Sequence, residues 1–179
     1  MRIIAGKFKG RVIKFPNSKL VRPTTDKTKE SIFNYLAHSI DFEGIKVCDI
    51  YAGSGSLGLE ALSRGAAEVH FVEKDFHVSR MLQENISSLG ADEECKIFRL
   101  DAVRFSKITG HDKYDLILAD PPFFKDDIHE VVKNIIEKEF LTKDGILLIE
   151  RSIQTKKKDE ENFKKEHFRR LGDSLIYLF

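Results

Sequence analysis

Cysteine is scarce. The 179 residues hold two, Cys48 and Cys95, too few and too far apart for a zinc ribbon or a disulfide framework. Both fall in apolar, strand-like runs, so the expectation is two buried free thiols in a reducing cytoplasm. Six histidines form no H-E-x-x-H or comparable ligand pattern, and no metal site is expected. No apolar run is long enough to span a bilayer, and the N-terminal residues lack the apolar core of a signal peptide. Internal repeats are absent. Net charge is only +1, which by itself names no partner. What remains is a chain of one-domain length with ordinary apolar content and enough residues for a substantial core.

The distribution of charge is more informative than its sum. Residues 1–30 carry +7 and the rest of the chain −6. A basic arm on a mildly acidic body points to a polyanion that touches one end. Ile3, Ile4, Phe8, Val12, Ile13 and Phe15 interleave with the charges, which argues against a floppy tail. Residues 2–5 and 11–15 predict a basic β-hairpin around a turn at 6–10.

The stretch that organises the chain runs from 47 to 75. Residues 45–50 read as a buried strand, Gly53, Gly55 and Gly58 as a tight turn, 57–62 as a short helix and 69–72 as the next strand, ending on Glu73. This is a βαβ unit that opens a nucleotide site. Gly53-x-Gly55-x-x-Gly58 with Glu73 20 residues after Gly53 matches the dinucleotide fingerprint. Asp49 opposes that reading, because a carboxylate at the end of the first strand repels a pyrophosphate. S-adenosylmethionine carries an ammonium and a sulfonium and no phosphate, and it suits Asp49.

Elsewhere, apolar periodicity predicts helices with stripes at Ile32, Phe33, Leu36 and Ile40, over 76–89, and over 128–140. Thr24, Thr25 or Asp26 can cap the first of these, and Thr25 can also touch the cofactor. Strands are expected at 95–100, 114–119 and 145–150, with a closing hairpin at 166–171 and 174–179. Asp101 ends the strand at 95–100, where it either accepts from an adenine amino group or caps a helix at 103–108. Residues 154–166 mix Lys156, Lys157 and Lys158 with Asp159, Glu160 and Glu161, the pattern of a solvated helix or loop, and receive no function.

Asp120-Pro121-Pro122-Phe123, placed after the strand at 114–119, is the sharpest chemical signal. The lone pair of a nucleobase exocyclic amine is delocalised into the ring. A site that methylates it must hold the amino hydrogens so that nitrogen can pyramidalise. The Asp120 carboxylate and Pro121 carbonyl are two acceptors at one spot, the prolines stiffen the loop, and Phe123 offers a stacking face worth ~1–3 kcal/mol.

With these residues in view, D-I-Y-A-G-S-G-S-L-G-L-E-A-L-S-R-G-A (49–66) and D-P-P-F (120–123) resemble the class I S-adenosylmethionine-dependent methyltransferases that modify exocyclic amines. M-R-I-I-A-G-K-F-K-G-R (1–11) and R-P-T-T-D-K-T-K-E-S-I-F-N (22–34) narrow the resemblance to the bacterial 16S ribosomal RNA guanine-N2 methyltransferases, the RsmD-like family. The resemblance implies an α/β, Rossmann-like fold, with a seven-stranded, mostly parallel sheet, an antiparallel last strand and an N-terminal β-hairpin. It implies a hairpin over 1–21 that meets RNA through Arg2, Lys7, Lys9 and Arg11, and a catalytic domain over 22–179 whose Arg22 joins that RNA contact. Asp49, Tyr51, Gly53, Gly55, Glu73 and Asp101 would line the cofactor site, to which the cap reading above adds Thr25, and Asp120, Pro121, Pro122 and Phe123 would hold the guanine amine. The implied cofactor is S-adenosylmethionine, leaving as S-adenosylhomocysteine, without a metal. The implied partner is 16S rRNA in the small subunit or an assembly intermediate, met by a cytoplasmic monomer without membrane contact. Lys29 replaces the family's usual arginine and receives no defined carboxylate or phosphate contact. An adenine-N6 methyltransferase on DNA or RNA is the alternative, because D-P-P-F serves either base.

Overall fold

The computed structural model describes residues 1–15, 26–122 and 125–179. These form six α-helices and seven strands in one sheet. In chain order they are α1 (Asp26–Ser39), β1 (Lys46–Ile50), α2 (Ser56–Ser63), β2 (Glu68–Val72), α3 (Phe76–Leu89), β3 (Cys95–Phe98), α4 (Ala102–Ser106), β4 (Tyr114–Ala119), α5 (Asp127–Glu137), β5 (Leu141–Ser152), α6 (Lys156–Phe163), β6 (Arg169–Leu171) and β7 (Ser174–Leu178). The sheet order is β3-β2-β1-β4-β5-β7-β6. The first five strands run parallel, and β7 is antiparallel to both β5 and β6. The expected sheet is therefore the observed one. Strand order reverses between β1 and β4, so a crevice opens at their carboxyl ends, where α/β sheets take ligands.

Both faces of the sheet are covered, which explains why its central strands are apolar throughout. Val47, Phe71, Leu118 and Leu148 pack beneath α1, α2 and α3, while Cys48, Ile50, Ile117 and Ile149 pack beneath α4 and α5. Cys48 is buried, but Cys95, at the sheet edge, is only partly so. Among the described residues, no helix is long and apolar enough to cross a membrane.

The N-terminal hairpin is reduced to a single antiparallel bridge, Arg2 with Val12. The arms do run alongside each other, with Ile3 N–H donating to the Arg11 carbonyl at 3.0 Å and Ile13 N–H to the Met1 carbonyl at 3.1 Å. Further pairing fails because α2 takes the next donors. Ile4 and Ala5 N–H donate to the Glu60 carboxylate at 2.8 and 3.1 Å, Lys7 N–H to the Ser63 carbonyl at 2.7 Å, and Phe8 N–H to Ser63 Oγ at 2.9 Å. A Cβ on Gly6 would lie 1.6 Å from the Ser63 carbonyl oxygen, so only glycine permits this approach. Ile3 and Ile13 are buried in the main core. Glu60 is itself fully buried and is balanced by Arg64 Nε at 2.9 Å and Lys29 Nζ at 3.4 Å. Lys29 thus has a defined carboxylate partner, contrary to expectation, and also donates to the Arg2 carbonyl at 2.8 Å.

The charged stretch at 154–166 also departs from expectation. It forms α6, but Asp159 points inward and is fully buried. It accepts from Arg151 Nε at 2.9 Å, His129 Nε2 at 2.7 Å and Thr155 Oγ1 at 2.6 Å, tying α6 to β5 and α5.

Candidate active site

The crevice is built from the ends of β1, β2, β3 and β4. After β1 the chain turns through left-handed backbone at Tyr51, Gly53 and Gly55, with φ of 63°, 54° and 83°. Glu73, just past β2, straddles this turn. Its Oε2 accepts Gly53 N–H at 3.0 Å and its Oε1 accepts Asp75 N–H at 2.8 Å. Gly58 serves packing rather than turning. A Cβ there would meet the Phe71 ring at 2.4 Å, so its absence lets α2 lie against β2.

Asp49 sits beneath the turn instead of facing outward from it. It is 2% exposed, and its Oδ2 accepts Gly58 N–H at 2.8 Å, fastening the first turn of α2 to β1. Burial raises its pKa to about 8, only partly opposed by the Gly58 hydrogen bond. At neutral pH the ligand-free protein therefore holds Asp49 mainly as the neutral acid. Tyr51 pays a non-glycine left-handed conformation, and its hydroxyl donates to Asp127 Oδ1 at 3.1 Å. Burial first, and then the Asp127 carboxylate, push that phenol well above its ordinary pKa.

Asp120 is half-buried at the end of β4, Pro121 is buried and Pro122 is exposed. Lys125 N–H donates to the Pro122 carbonyl at 3.0 Å and closes the loop before α5. Lys125 Nζ donates to Asp127 Oδ2 at 3.1 Å. Burial opposes the charge on Lys125, but the Asp127 and Asp101 carboxylates outweigh it and raise its pKa. Asp101 is the N-cap of α4, its Oδ1 accepting Arg104 N–H at 2.9 Å. The helix-cap reading of this residue is therefore realised.

Tyr51, Gly53, Gly55, Glu73, Asp101, Asp120 and Pro121 thus come to the strand ends that bound the crevice, with Asp49 under its floor. Thr25, Arg22 and Phe123 lie outside the described residues. The basic arm sits apart from the D-P-P turn, across α2 and α3. Its charges meet acids of the body: Arg2 with Asp26 at 3.2 Å and Lys7 with Glu94 at 3.4 Å, while Arg11 Nη2 donates to the Ser88 carbonyl at 2.5 Å. Lys9 is exposed. The sequence reading missed Lys74, Lys125 and Asp127 at the crevice. The signal was present, because Lys125 and Asp127 directly follow the D-P-P-F-F run.

A family model described as "Conserved hypothetical protein 95" matches residues 1–179. The chain belongs to this family. It is the RsmD-like family that the motifs resemble. Among its relatives, the "Putative rRNA methyltransferase YlbH" of Bacillus subtilis is 36% identical over 152 residues, covering 84% of this chain and 82% of the relative. The "Ribosomal RNA small subunit methyltransferase D" of Escherichia coli is 34% identical over 154 residues, covering 86% and 76%. A solved structure described as "Putative methyltransferase yhhF from Escherichia coli" superposes with a TM-score of 0.83 at 29% identity, covering 99% of this chain and 96% of that one. The fold is thus that of the class I methyltransferases.

Proposed function

We propose that the protein transfers a methyl group from S-adenosylmethionine to the exocyclic N2 amine of a guanine in 16S rRNA of the small ribosomal subunit. The observation that carries this reading is the Asp120-Pro121-Pro122 turn at the end of β4, next to the glycine turn of β1 in the sheet. Membership of a family whose relatives are named as small-subunit rRNA methyltransferases supports it.

The residues fit the cofactor. Left-handed glycines at 53 and 55 keep side chains away from the turn, and Glu73 and Asp101 bring negative charge to a crevice over the buried Asp49. Such a lining favours an ammonium, a sulfonium and ribose hydroxyls over a pyrophosphate. When bound, S-adenosylmethionine supplies an electrophilic methyl group. The chain's own part is to place the amine in line with it, an orientation effect. Asp120 and the Pro121 carbonyl accept the two amino hydrogens, which frees the nitrogen lone pair from the ring. Asp120 need not be a strong base, because a methylated, ammonium-like nitrogen is acidic and yields its proton readily. Phe123 would stack on the target base. Among the described residues, no group of three or more His, Cys, Asp or Glu is arranged to hold a metal.

In this reading the arm contacts RNA through Arg2, Lys7, Lys9 and Arg11, joined by Arg22 at the start of the body, and the body from 22 onward carries the chemistry. The arm's ion pairs are partly exposed and worth only about 0–1 kcal/mol each, so phosphates can displace them. The protein works as a cytoplasmic monomer.

The test is transfer of labelled methyl from S-adenosylmethionine to small subunits from cells lacking the gene, followed by nucleoside analysis. Label in N2-methylguanosine at one site is the expected result. Label in N6-methyladenosine would move the activity to adenine, and no label despite cofactor binding would overturn the reading.

A further inference from the structure

Residues 156–170 contain seven Lys or Arg and four acids, an excess of three positive charges. Folding widens that excess at the surface. Asp159 turns inward to Arg151 and His129, and Glu160 is taken by His167 Nδ1 at 2.8 Å. Lys156, Lys157, Lys164, Lys165, Arg169 and Arg170 are all exposed, with only Glu161 and Glu166 exposed among them.

Two hollows adjoin this row. One, of about 700 Å³, is lined by Lys156, Lys157, Lys164 and Lys165 together with Glu160, Glu161 and Glu166, of which Glu160 is occupied by His167. The other, of about 390 Å³, lies between α1 and β6 and is lined by Asn34, Tyr35, His38 and Arg169. Phe168 stands between them in the chain and is 46% exposed. Its ring lies 4.6 Å from that of Tyr35, and the Arg169 guanidinium lies 5.8 Å from its centroid. An exposed ring beside a guanidinium and a row of ammonium groups matches the chemistry of single-stranded nucleic acid, which stacks its bases and pairs its phosphates. The row also leads towards the crevice, because Lys158 pairs with Asp126, just after the D-P-P loop, at 2.5 Å.

We infer that the α6–β6 edge is a second RNA-binding surface, which holds a single-stranded segment of the substrate at the end of the sheet opposite α3 and the basic arm. The inference rests on the RNA-methyltransferase reading. It assigns Lys157, Lys164, Arg169 and Arg170 to phosphates and Phe168 to a base.

The test compares wild type with the combined variant Lys157→Gln, Lys164→Asn, Arg169→Gln, Arg170→Gln, and separately with Phe168→Leu. Asparagine is chosen at 164 because Lys164 has φ 51°. Methyl transfer to small subunits is measured across a salt series, with cofactor binding and thermal unfolding as controls. The expected result for the combined variant is KM raised about tenfold at physiological salt, kcat within about twofold, and a salt slope smaller by about three, the sum of four lost phosphate contacts. Phe168→Leu should raise KM several-fold without changing the slope. Unchanged KM and slope in a folded variant would overturn the inference. An altered oligomeric state with unchanged KM would assign the edge to contact between copies instead. If wild type methylates no RNA, the parent reading fails and takes this one with it; wild-type activity with a silent variant fails only this one.

Discussion

Replacing Asp49 by Asn should stabilise the protein, and increasingly so as pH rises from 5 to 8. The carboxyl is buried and titrates at about 8 in the folded protein, against about 3.9 in an unfolded chain. Between those values the folded state holds a proton that the unfolded state has released. Stability from this group is therefore complete below the unfolded value and is lost as pH climbs towards 8. Each pH unit in that window removes about 1.4 kcal/mol, so the span from 5 to 8 has a ceiling of about 4 kcal/mol. Relaxation and water entry around a buried charge reduce this to about 2 kcal/mol. Asparagine keeps an oxygen for the Gly58 N–H, places an amide where the acid O–H was, and does not titrate. For a chain of this size, 1 kcal/mol shifts the melting temperature by about 2–4 °C. The lead of Asp49→Asn over wild type should thus grow by about 4–8 °C between pH 5 and pH 8 in calorimetry. A constant difference across that range would mean that Asp49 is already ionised at pH 5, and would refute the argument.

Asp120→Ala should leave melting temperature and cofactor affinity nearly unchanged while lowering kcat by roughly 10²–10³, as when one preorganised polar group is lost; normal turnover would remove Asp120 from the mechanism. Glu60→Ala strips the partner from Ile4 N–H, Ala5 N–H, Arg64 and Lys29 together. It should cost about 3–5 kcal/mol and expose residues 1–15 to proteolysis, and a loss under about 1 kcal/mol in urea titration would count against the buried-charge account. Gly58→Ala drives a methyl group into Phe71 and Val69. A cost of about 1–3 kcal/mol is expected from overpacking, and a wild-type melting curve would mean that α2 slides freely on β2.

The parts of the fold that were readable were those set by local chemistry. Apolar runs such as 114–119, glycines at 53, 55 and 58, and the Gly172-Asp173 turn each specify structure within a few residues of themselves. The crevice followed, because acids placed at strand ends in the chain remain there in the sheet. What stayed hidden depends on distant partners. Nothing near Lys29 in the chain announces Glu60, and nothing in the run of lysines before Asp159 announces that Asp159 turns inward to Arg151 and His129. The hairpin was misjudged for the same reason, since its backbone donors are claimed by Glu60 and Ser63, more than fifty residues away. Asp49 was placed correctly at a strand end, but its direction was not readable, because alternation along β1 does not say which neighbour's amide will claim the carboxylate.

The buried arm also has a consequence for synthesis. Residues 1–15 leave the ribosome long before the helices that receive them. Lys14 waits for Asn85, with which it exchanges two hydrogen bonds across 71 positions. At about 5–20 residues per second this is a delay of about 4–14 s. During that interval Ile3 and Ile13 lack the apolar face of α3 that completes their cover, and Lys14 lacks Glu84. A nascent chain stalled before residue 85 leaves Ile3 and Ile13 open to chaperones and proteases, and both are covered once α3 is complete, while the charges around them stay at the surface. The segment is made before its own binding site exists, and its burial marks the point at which translation has gone far enough for the fold to close.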